Sequence, residues 1–306
     1  KWQKICFYCG SKSTIKNGHK SGKQLYKCKS CGKQFIGGVR IDNERLKREY
    51  IEGKQTLFQL SARYSVDKST IWRRLKSMRY VRVISKHKDV VINMDTTYWG
   101  RGFGLMVMKD AFRNKILWYK FVRNETIADY LEGITWLRDN NFKIHGIVCD
   151  GMRGLFYELR QYRVQMCQFH QMMIVRRYLT LKPELPAAIE LLEISNMIAR
   201  TDKNSFIRML DGWSDRWKDF LKERSVDKKT GRTSYTHKRL RSAFLSLKRN
   251  MVWLWTCQDC PELHIPNTNN ALEGVFTDIK TKLRIHSGIT KQRRIALIQE
   301  YIARHY

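Results

Sequence analysis

Apolar and polar positions recur with two different periods along this chain, and each change of period marks a change of structure. Between residues 42 and 78, apolar side chains return every three or four positions, which predicts helices. Three helices are expected there, the second capped by Thr56 and the third opened by Asp67. Leu57, Leu60 and Ala62 of the second helix are expected to point inward.

The third of these helices is expected to bind DNA. It begins with short polar groups and carries a basic face, the layout of a helix-turn-helix DNA-binding domain, which we assign to residues 40–84. The alternative is a small three-helix packing domain that makes no DNA contact. The predicted DNA-binding residues of this helix are Lys68, Ser69, Thr70, Arg73 and Arg74.

Residues 85–180 alternate between strand and helix patterns in the order βββαβαβα. Tight connections between the first three strands predict an antiparallel meander. This order of elements predicts an α/β protein with a ribonuclease-H-like catalytic core. The predicted strands are Val90–Met94, Leu105–Met108, Ile116–Val122, Ile144–Cys149 and Val164–Met166, and the two longer helices are Thr126–Leu137 and His170–Leu179.

A region of apolar helical stripes interrupts this core. Residues 181–262 are predicted to form an all-helical insertion, which leaves residues 263–306 as the second part of the catalytic core. Trp213 and Trp217 lie four positions apart and share one helix face, which is expected to be core. The charged stretch at residues 225–236 contains a glycine and is predicted to be a loop.

Three carboxylates stand where such a fold binds ligands. Asp95 and Asp150 each end an apolar run, so both are predicted at the carboxyl tip of a strand, where open α/β sheets place their ligands. Glu273 is predicted in the first turn of a helix. Together they can form an oxygen cage for two Mg²⁺ or Mn²⁺ ions, which clamp the attacking and leaving oxygens of a phosphoryl transfer. The alternative is that the strand ends and the helix simply carry solvated acids.

The charge of the chain points to a polyanionic partner. Fifty-nine Lys and Arg residues against 28 Asp and Glu residues give a net charge of +31. Each cation that neutralises a phosphate releases a counterion, so a nucleic acid is the expected partner. An anionic membrane surface is the rival, but no apolar run of transmembrane length and no signal-peptide pattern is found. We therefore predict a protein that binds double-stranded DNA, with no membrane partner and no small-molecule substrate.

Four cysteines near the start of the sequence form two Cys-x2-Cys pairs. Their spacing is that of a zinc ribbon, which we assign to residues 1–37 with one structural Zn²⁺. A glycine follows the second cysteine of each pair and permits the left-handed turn of a zinc knuckle. Disulfides are the alternative, but a basic chain without a secretory signal is expected to stay reduced. The predicted zinc ligands are Cys6, Cys9, Cys28 and Cys31.

The other four cysteines give a weaker signal. Cys149 and Cys167 lie in apolar strand contexts and are interpreted as core. Cys257 and Cys260 form a third Cys-x2-Cys pair without a second pair near it in sequence. A second metal site there stays an open alternative to two structural thiols.

Taken jointly, these modules and motifs resemble the Mutator-like group of DDE transposases, and within it the bacterial insertion-sequence members. The resemblance covers nearly the whole chain. Its most specific elements are Asn269-Asn270-x2-Glu273-Gly274 and Cys167-x2-His170, of which the latter matches the C/D-x2-H signature of that superfamily.

The resemblance implies roles for particular residues. Asp95, Asp150 and Glu273 would hold the divalent metals, and His170 would lie close to them and help to position DNA or order the acids. Lys280 would approach the transposon end. The helical period places Arg284 on the same stripe as Glu273 and Lys280. The alternatives are a solvated basic face for Lys280 and a core histidine for His170.

The resemblance also implies an activity. The expected protein binds the terminal inverted repeats of an insertion sequence, cleaves at the element's ends and joins the freed 3′-hydroxyl to target DNA. No covalent protein intermediate is needed. Cleavage of two ends in concert calls for at least a homodimer, and a cytoplasmic, nucleoid-associated location in a bacterium is expected. The alternatives are a transposase-derived DNA-binding regulator without chemistry and a metal-dependent nuclease without strand transfer.

Overall fold

The structure, a computed structural model, describes residues 4–6, 8–36, 41–77, 85–286 and 288–306. The predicted domain boundaries at residues 37, 40 and 84 lie outside this part of the chain. The chain divides into two compact units. The first comprises Lys1–Tyr80 and Lys282–Thr290, and the second comprises Val81–Thr281 and Lys291–Tyr306.

A small antiparallel sheet opens the first unit. Strands β1 (Thr14–Lys20), β2 (Lys23–Cys28) and β3 (Gln34–Ile36) pair in that order. Its core is minimal, because buried Phe35 packs with two of the cysteines and with the half-buried ring of Tyr26. So small a core does not by itself supply much folding free energy.

Three helices follow, as predicted: α1 (Asn43–Ile51), α2 (Leu57–Tyr64) and α3 (Lys68–Ser77). Thr56 and Gln59 form a capping box at the start of α2, and the carboxylate of Asp67 accepts the Ser69 N–H at 2.7 Å at the start of α3. Leu60 is buried, as predicted, and Leu57 is half-buried, but Ala62 is exposed. Residues two positions apart in an α-helix are separated by about 200° around the axis, so the side chains of Leu60 and Ala62 face opposite sides of α2.

The segment Lys282–Thr290 contributes a buried histidine to the first unit. His286 is 4% exposed, and its ring centroid lies 4.4 Å from that of Tyr50 on α1. Its Nε2 lies 3.1 Å from the Tyr50 carbonyl oxygen. Burial lowers the pKa of His286, so the neutral ring donates its N–H to that carbonyl.

A five-stranded mixed sheet forms the centre of the second unit. Its strands are β4 (Asp89–Tyr98), β5 (Gly104–Asp110), β6 (Ile116–Val122), β7 (Lys143–Cys149) and β8 (Val164–Met166). They lie in the order β6-β5-β4-β7-β8, with β4, β5 and β6 antiparallel and β4, β7 and β8 parallel. Helices α4 (Ile127–Asp139), α5 (Leu155–Glu158) and α6 (Gln168–Leu179) complete this part. The predicted α/β class, element order and antiparallel meander are confirmed.

Strand β4 is longer than predicted, so Asp95 does not lie at its tip. The strand continues to Tyr98, because Thr96, Thr97 and Tyr98 are β-branched or aromatic and pair with β5. The parallel pairing with β7 ends earlier, at Asn93 and Val148. Asp95 therefore lies just beyond the parallel half of the sheet and inside its antiparallel half.

The region after α6 is mostly helical and shares one hydrophobic core with the sheet. It contains α7 (Pro186–Asn196), α8 (Lys203–Trp217), α9 (Lys238–Leu254) and α10 (Thr256–Asp259), with 3-10 turns at Ile198–Arg200, Phe220–Lys222 and Pro261–Leu263. Trp213 is 2% exposed and donates its indole N–H to the Ala187 carbonyl at 2.9 Å, so its ring is core, as predicted.

The prediction that this region is all-helical is wrong, because it also contains two short strands. Strands β9 (Arg224–Val226) and β10 (Thr233–Tyr235) form an antiparallel hairpin that begins one residue before the predicted loop and takes up most of it. The turn closes because Asp227 accepts N–H groups from Lys229 and Thr230 and because Gly231 adopts a φ of 67°. Two three-residue strands leave too short a pattern for the sequence to reveal them.

Two helices end the chain: α11 (Asn270–Ile285), which carries Glu273, and α12 (Lys291–His305). Throughout the described residues, no helix combines the length and the apolar character that crossing a membrane requires.

Candidate metal centre and candidate active site

The four N-terminal cysteines form a candidate metal centre. Their sulfur atoms all lie within 4.8 Å of one another. The Sγ atoms of Cys6 and Cys31 are 3.6 Å apart, as are those of Cys9 and Cys28. Zinc–sulfur bonds of about 2.3 Å in a tetrahedron separate the sulfurs by about 3.8 Å. The spacing therefore fits one tetrahedral metal ion with four thiolate ligands.

The backbone builds the two halves of this centre in the same way. The N–H of Cys6 donates to the Ser11 carbonyl, and the N–H of Cys28 donates to the Lys33 carbonyl. Gly10 and Gly32 each close the turn by donating to the carbonyl of the first cysteine, and both have a φ of 71°. The left-handed turns expected from the two glycines are present.

Asp95 is the centre of a carboxylate cluster in the second unit. It is 9% exposed, and its Oδ1 accepts the backbone N–H of Thr96 at 2.7 Å. Burial, which has the largest effect, and the nearby charges of Asp150, Glu125 and Glu273 together raise the pKa of Asp95 to about 8. Three acids distant in sequence thus lie within electrostatic reach of Asp95.

Asp150 follows β7 directly and is half-buried. Its Oδ1 is buried and accepts no hydrogen bond from the described residues. Burial raises the pKa of Asp150, and the charge of His170 opposes that rise. A buried carboxylate oxygen without a donor is costly, which makes it a ready ligand for a cation.

Two asparagine side chains fix the start of the helix that carries Glu273. The amide of Asn269 donates to the Met94 carbonyl at 3.1 Å, and the amide of Asn93 donates to the Thr268 carbonyl at 3.4 Å. These reciprocal bonds join the chain immediately before α11 to β4, at the adjacent residues Asn93 and Met94. We call this pair the asparagine clasp. It sets the position of half-buried Glu273 relative to Asp95.

The clasp is also tied to the start of α6. The backbone N–H of Asn269 lies 3.3 Å from the sulfur of Cys167, and the N–H of Gln168 donates to the Asn267 carbonyl at 2.9 Å. Cys167 is fully buried and is the residue before α6. The two motifs most specific to the family resemblance therefore contact each other.

His170 lies in the first turn of α6, close to the acids. Contact with the thiol of Cys167 raises the pKa of His170, and the charges of Asp150 and Glu273 raise it as well. Its Nδ1 is buried without a hydrogen-bond partner among the described residues. The ring is half-buried, so it belongs to the rim of the cluster and not to the sealed core.

Glu125 is a fourth acid of the cluster, and the sequence did not single it out. The Tyr130 hydroxyl donates to its carboxylate and lies 3.2 Å from the Thr96 hydroxyl. Burial raises the pKa of Glu125, and the charge of Asp150 adds to the rise. Its position after the third strand of the sheet was the available signal, because Asp95 and Asp150 also lie in or directly after strands. However, Glu125 precedes the helix cap Thr126 and therefore resembles an ordinary acid at the start of a helix.

The donor set of this cluster suits a hard divalent cation. The pKa values of Asp95, Glu125 and Asp150 are all raised, so a positive charge between the carboxylates would stabilise their ionised forms. The buried amide oxygens of Asn93 and Asn269 also lack donors among the described residues. The acids are spaced more widely than the four cysteines, which are the sole described group with ligand atoms within 4.8 Å of one another. Cation binding would draw these side chains together.

The predicted DNA-binding residues of α3 differ in their surroundings. Lys68, Ser69 and Arg73 are exposed and Thr70 is half-buried. The Lys68 ammonium lies 4.9 Å from the centre of the exposed Phe58 ring. Arg74 is half-buried and donates to the Ile41 carbonyl at 3.4 Å and to the Asn43 amide oxygen at 3.2 Å.

The contacts of Arg74 brace α3 against the start of α1, which gives this residue a structural use in addition to its predicted one. On α11, Lys280 is half-buried and Arg284 is exposed. Of the remaining cysteines, Cys149 and Cys167 are buried, as predicted. Cys257 and Cys260 are free thiols outside the described four-sulfur group, so they belong to no three-ligand cluster in this part of the chain.

No protein-family model and no curated protein sequence matches this chain. Among solved structures, the chain is similar to a Drosophila P element transposase strand transfer complex, with 13% identity, coverage of 88% of this chain and 93% of that chain, and a TM-score of 0.39. It is also similar to a simian T-cell lymphotropic virus intasome in complex with PP2A regulatory subunit B56 gamma, with 11% identity, coverage of 65% and 74%, and a TM-score of 0.22. Likenesses this distant establish neither family nor function.

Proposed function

We propose that this chain is a DNA transposase of the DDE type, which binds the terminal inverted repeats of an insertion sequence and cleaves and joins DNA. The observation that carries the proposal is the carboxylate cluster: Asp150 and Glu273, both distant in sequence from Asp95, lie within electrostatic reach of it in a protein of net charge +31. Buried acids that repel one another destabilise a fold, so their presence is best explained by a cation that they hold.

The order of the sheet supports the same proposal. Three antiparallel strands, followed by two strands that run parallel to the first on its other side, are the order expected of a ribonuclease-H-like core and support that assignment. The contact between Cys167 and the clasp supports assignment to the Mutator-like group, because it joins that group's C/D-x2-H motif to the helix of the third acid.

In the proposed reaction, two Mg²⁺ or Mn²⁺ ions, when bound, would lower the pKa of the attacking water or 3′-hydroxyl and stabilise the leaving oxygen. Asp95, at the centre of the cluster, would hold these ions together with Asp150 and Glu273. Glu125, oriented by the Tyr130 hydroxyl, adds a carboxylate beside them. His170, on the rim of the cluster, would help to position the DNA or to order the acids.

Recognition of the element's ends is assigned to the first unit. The exposed start of α3, with Lys68, Ser69 and Arg73, presents the polar and basic groups that read a major groove in helix-turn-helix domains. The four-cysteine centre would hold one structural Zn²⁺. Lys280 and Arg284 would contact the transposon end, and a homodimer would bring two ends together.

A joining assay tests this function. Labelled duplexes that carry the element's terminal inverted repeats are incubated with a target plasmid and with Mg²⁺ or Mn²⁺. Wild-type protein should release 3′-hydroxyl ends and join them to the target. Asp95→Asn, Asp150→Asn and Glu273→Gln should each abolish both steps while end binding, measured without metal, is retained.

Each of the other outcomes would support a different function for this chain. Cleavage without joining would make the chain a nuclease. End binding without either reaction, in the wild type as in the three variants, would make it a DNA-binding regulator. Strand transfer that survives in one variant would remove that acid from the site.

A further inference from the structure

The hairpin of β9 and β10 carries a dense group of exposed cations. Between Arg224 and Arg239 the chain has six basic residues and one acid, Asp227, which gives a local charge of 6 − 1 = +5. All six basic residues are exposed: Arg224, Lys228, Lys229, Arg232, Lys238 and Arg239. The carboxylate of Asp227 is occupied by the N–H groups of Lys229 and Thr230, so it neutralises none of the lysines by a described ion pair.

The base of this hairpin is firmly attached to the helical region. Arg224 and Arg241 both stack on the Tyr235 ring, at 4.5 Å and 3.6 Å from its centroid, and Arg241 donates to the Leu221 carbonyl at 2.8 Å. The His237 ring stacks on Phe220 at 3.8 Å and lies 2.9 Å from a carboxylate oxygen of Glu223. The charged tip is thus presented on an ordered ribbon.

The ribbon has a shape that a DNA groove accepts. Its two strands pair with each other and with no other described strand, so both edges are open. A B-form major groove, about 12 Å wide, admits a two-stranded ribbon of this kind. Val226 is the one exposed large apolar residue described in the hairpin, which leaves no apolar tip for insertion into a membrane.

We propose that the β9–β10 hairpin is a second binding element for double-stranded DNA, which contacts phosphates along a groove without reading sequence. The inference rests on the proposed function in one respect, that the chain works on duplex DNA. The hairpin lies in the same unit as the carboxylate cluster, so its contacts hold the duplex on the unit that carries the acids. Ammonium and guanidinium groups without base-reading partners give affinity and salt dependence but little sequence preference.

A matched pair of triple variants tests this element. The first, Lys228→Ala/Lys229→Ala/Arg232→Ala, removes three cations from the hairpin. The control, Lys115→Ala/Lys143→Ala/Lys182→Ala, removes three exposed cations from elsewhere in the same unit. Both lower the net charge equally, so any difference between them reports position and not total charge. Melting temperatures within a degree or two of wild type, as expected for exposed substitutions, establish that both are folded.

The measurement is the affinity for a short DNA duplex of arbitrary sequence, by fluorescence anisotropy, over a series of salt concentrations without divalent metal. The hairpin variant should bind about tenfold more weakly, and the slope of log K against log salt should fall by about two to three, since each phosphate contact contributes about 0.9. The control should change the slope by less than about one. Equal losses in the two variants would overturn the proposal.

Competition with other polyanions settles the kind of partner. The hairpin-dependent part of binding should be lost to competing duplex DNA far more readily than to duplex RNA, because the deep, narrow major groove of A-form RNA does not admit a two-stranded ribbon. A hairpin contribution that duplex RNA or an acidic polypeptide removes equally well would overturn the assignment to DNA. No cleavage enters this measurement, so failure of the hairpin and failure of the proposed strand transfer are distinguishable.

Discussion

Asp95 illustrates how a single buried side chain couples stability to pH. The pKa of Asp95 is about 8, above its ordinary 3.8, so the folded protein binds a proton that the unfolded chain releases. The stabilisation from this group is complete below about pH 4 and is lost as pH rises through about 8.

Asp95→Asn should therefore stabilise the metal-free protein increasingly as pH rises. From pH 5 to pH 8 the variant's advantage in unfolding free energy should widen by a few kcal/mol, since each unit of pKa shift is worth about 1.4 kcal/mol. Urea unfolding with a chelator present measures it. Exposed Asp139→Asn is the control and should show no such widening. A constant gap for Asp95→Asn would contradict the electrostatic account of the cluster.

Glu125 should affect metal binding as well as activity. Glu125→Gln removes a charge but keeps the Tyr130 hydroxyl within reach of an acceptor, so the fold should be retained. We expect strand transfer and Mn²⁺ affinity, the latter by calorimetry, to fall by about ten- to a hundredfold, the range for groups that support metal ligands. Glu158→Gln, an exposed substitution on α5, is the control. Mn²⁺ affinity equal to that of the control would exclude Glu125 from the site.

Of these two site residues, Asp95 can be predicted from the sequence and Glu125 cannot. Asp95 stands out because it follows an apolar run, although the strand continues past it through β-branched residues that pair with β5. Glu125 does not stand out, because an acid before a helix cap is ordinary. Its place depends on the Tyr130 hydroxyl, which reaches both its carboxylate and Thr96. Such a contact between a loop and a helix produces no periodic pattern in the sequence from which it could be predicted.

Among the elements, the start of α11 depends on the asparagine clasp. Asn269→Ala removes the donor to the buried Met94 carbonyl and should lower the unfolding free energy by about 1–3 kcal/mol. Joining should fall as well, because Glu273 loses its fixed position. Asn270→Ala changes the adjacent, exposed asparagine and should alter neither property strongly. Urea unfolding and the joining rate, measured side by side, test the clasp. Equal unfolding free energies and joining rates in the two variants would show that the clasp does not fix the start of α11.

The four-cysteine module should depend on its metal for folding. Its core consists of few residues, so the metal supplies most of its stability. Cys28→Ser should abolish the binding of one zinc ion per chain and unfold β1, β2 and β3, as followed by metal analysis and amide exchange. Cys257→Ser, at a half-buried thiol outside the centre, should retain the zinc. A wild-type protein purified without zinc, and indifferent to chelators, would contradict this expectation.

Elements with caps and long apolar periods were predictable, and short or contact-dependent ones were not. The capping residues Thr56 and Asp67 predict the starts of α2 and α3, and the structure confirms both helices. The β9–β10 hairpin escapes prediction because its strands are short and polar. The place of His286 against Tyr50 is equally hidden, since a helix end distant in sequence supplies the contact.

At the scale of the whole molecule, net charge opposes compactness. A charge of +31 on 306 residues produces self-repulsion that salt screens. The melting temperature of the DNA-free protein should therefore rise between about 50 mM and 500 mM NaCl, where the Debye length falls severalfold. Duplex DNA at low salt should raise it further, because binding stabilises the folded state. Differential scanning calorimetry measures both effects, and a melting temperature that falls with salt would contradict the first.

The place of the clasp and Glu273 in the chain also determines when the carboxylate cluster is completed during synthesis. A ribosome makes the helices of residues 43–77 first and Asp95, Glu125 and Asp150 next, but Glu273 only after the whole mostly helical region. A nascent chain thus has its predicted DNA-reading helix long before it has all its acids. If the chain acts as proposed, a message broken before the codon for Glu273 would yield a product that occupies the element's ends without cutting them and so inhibits its full-length counterpart.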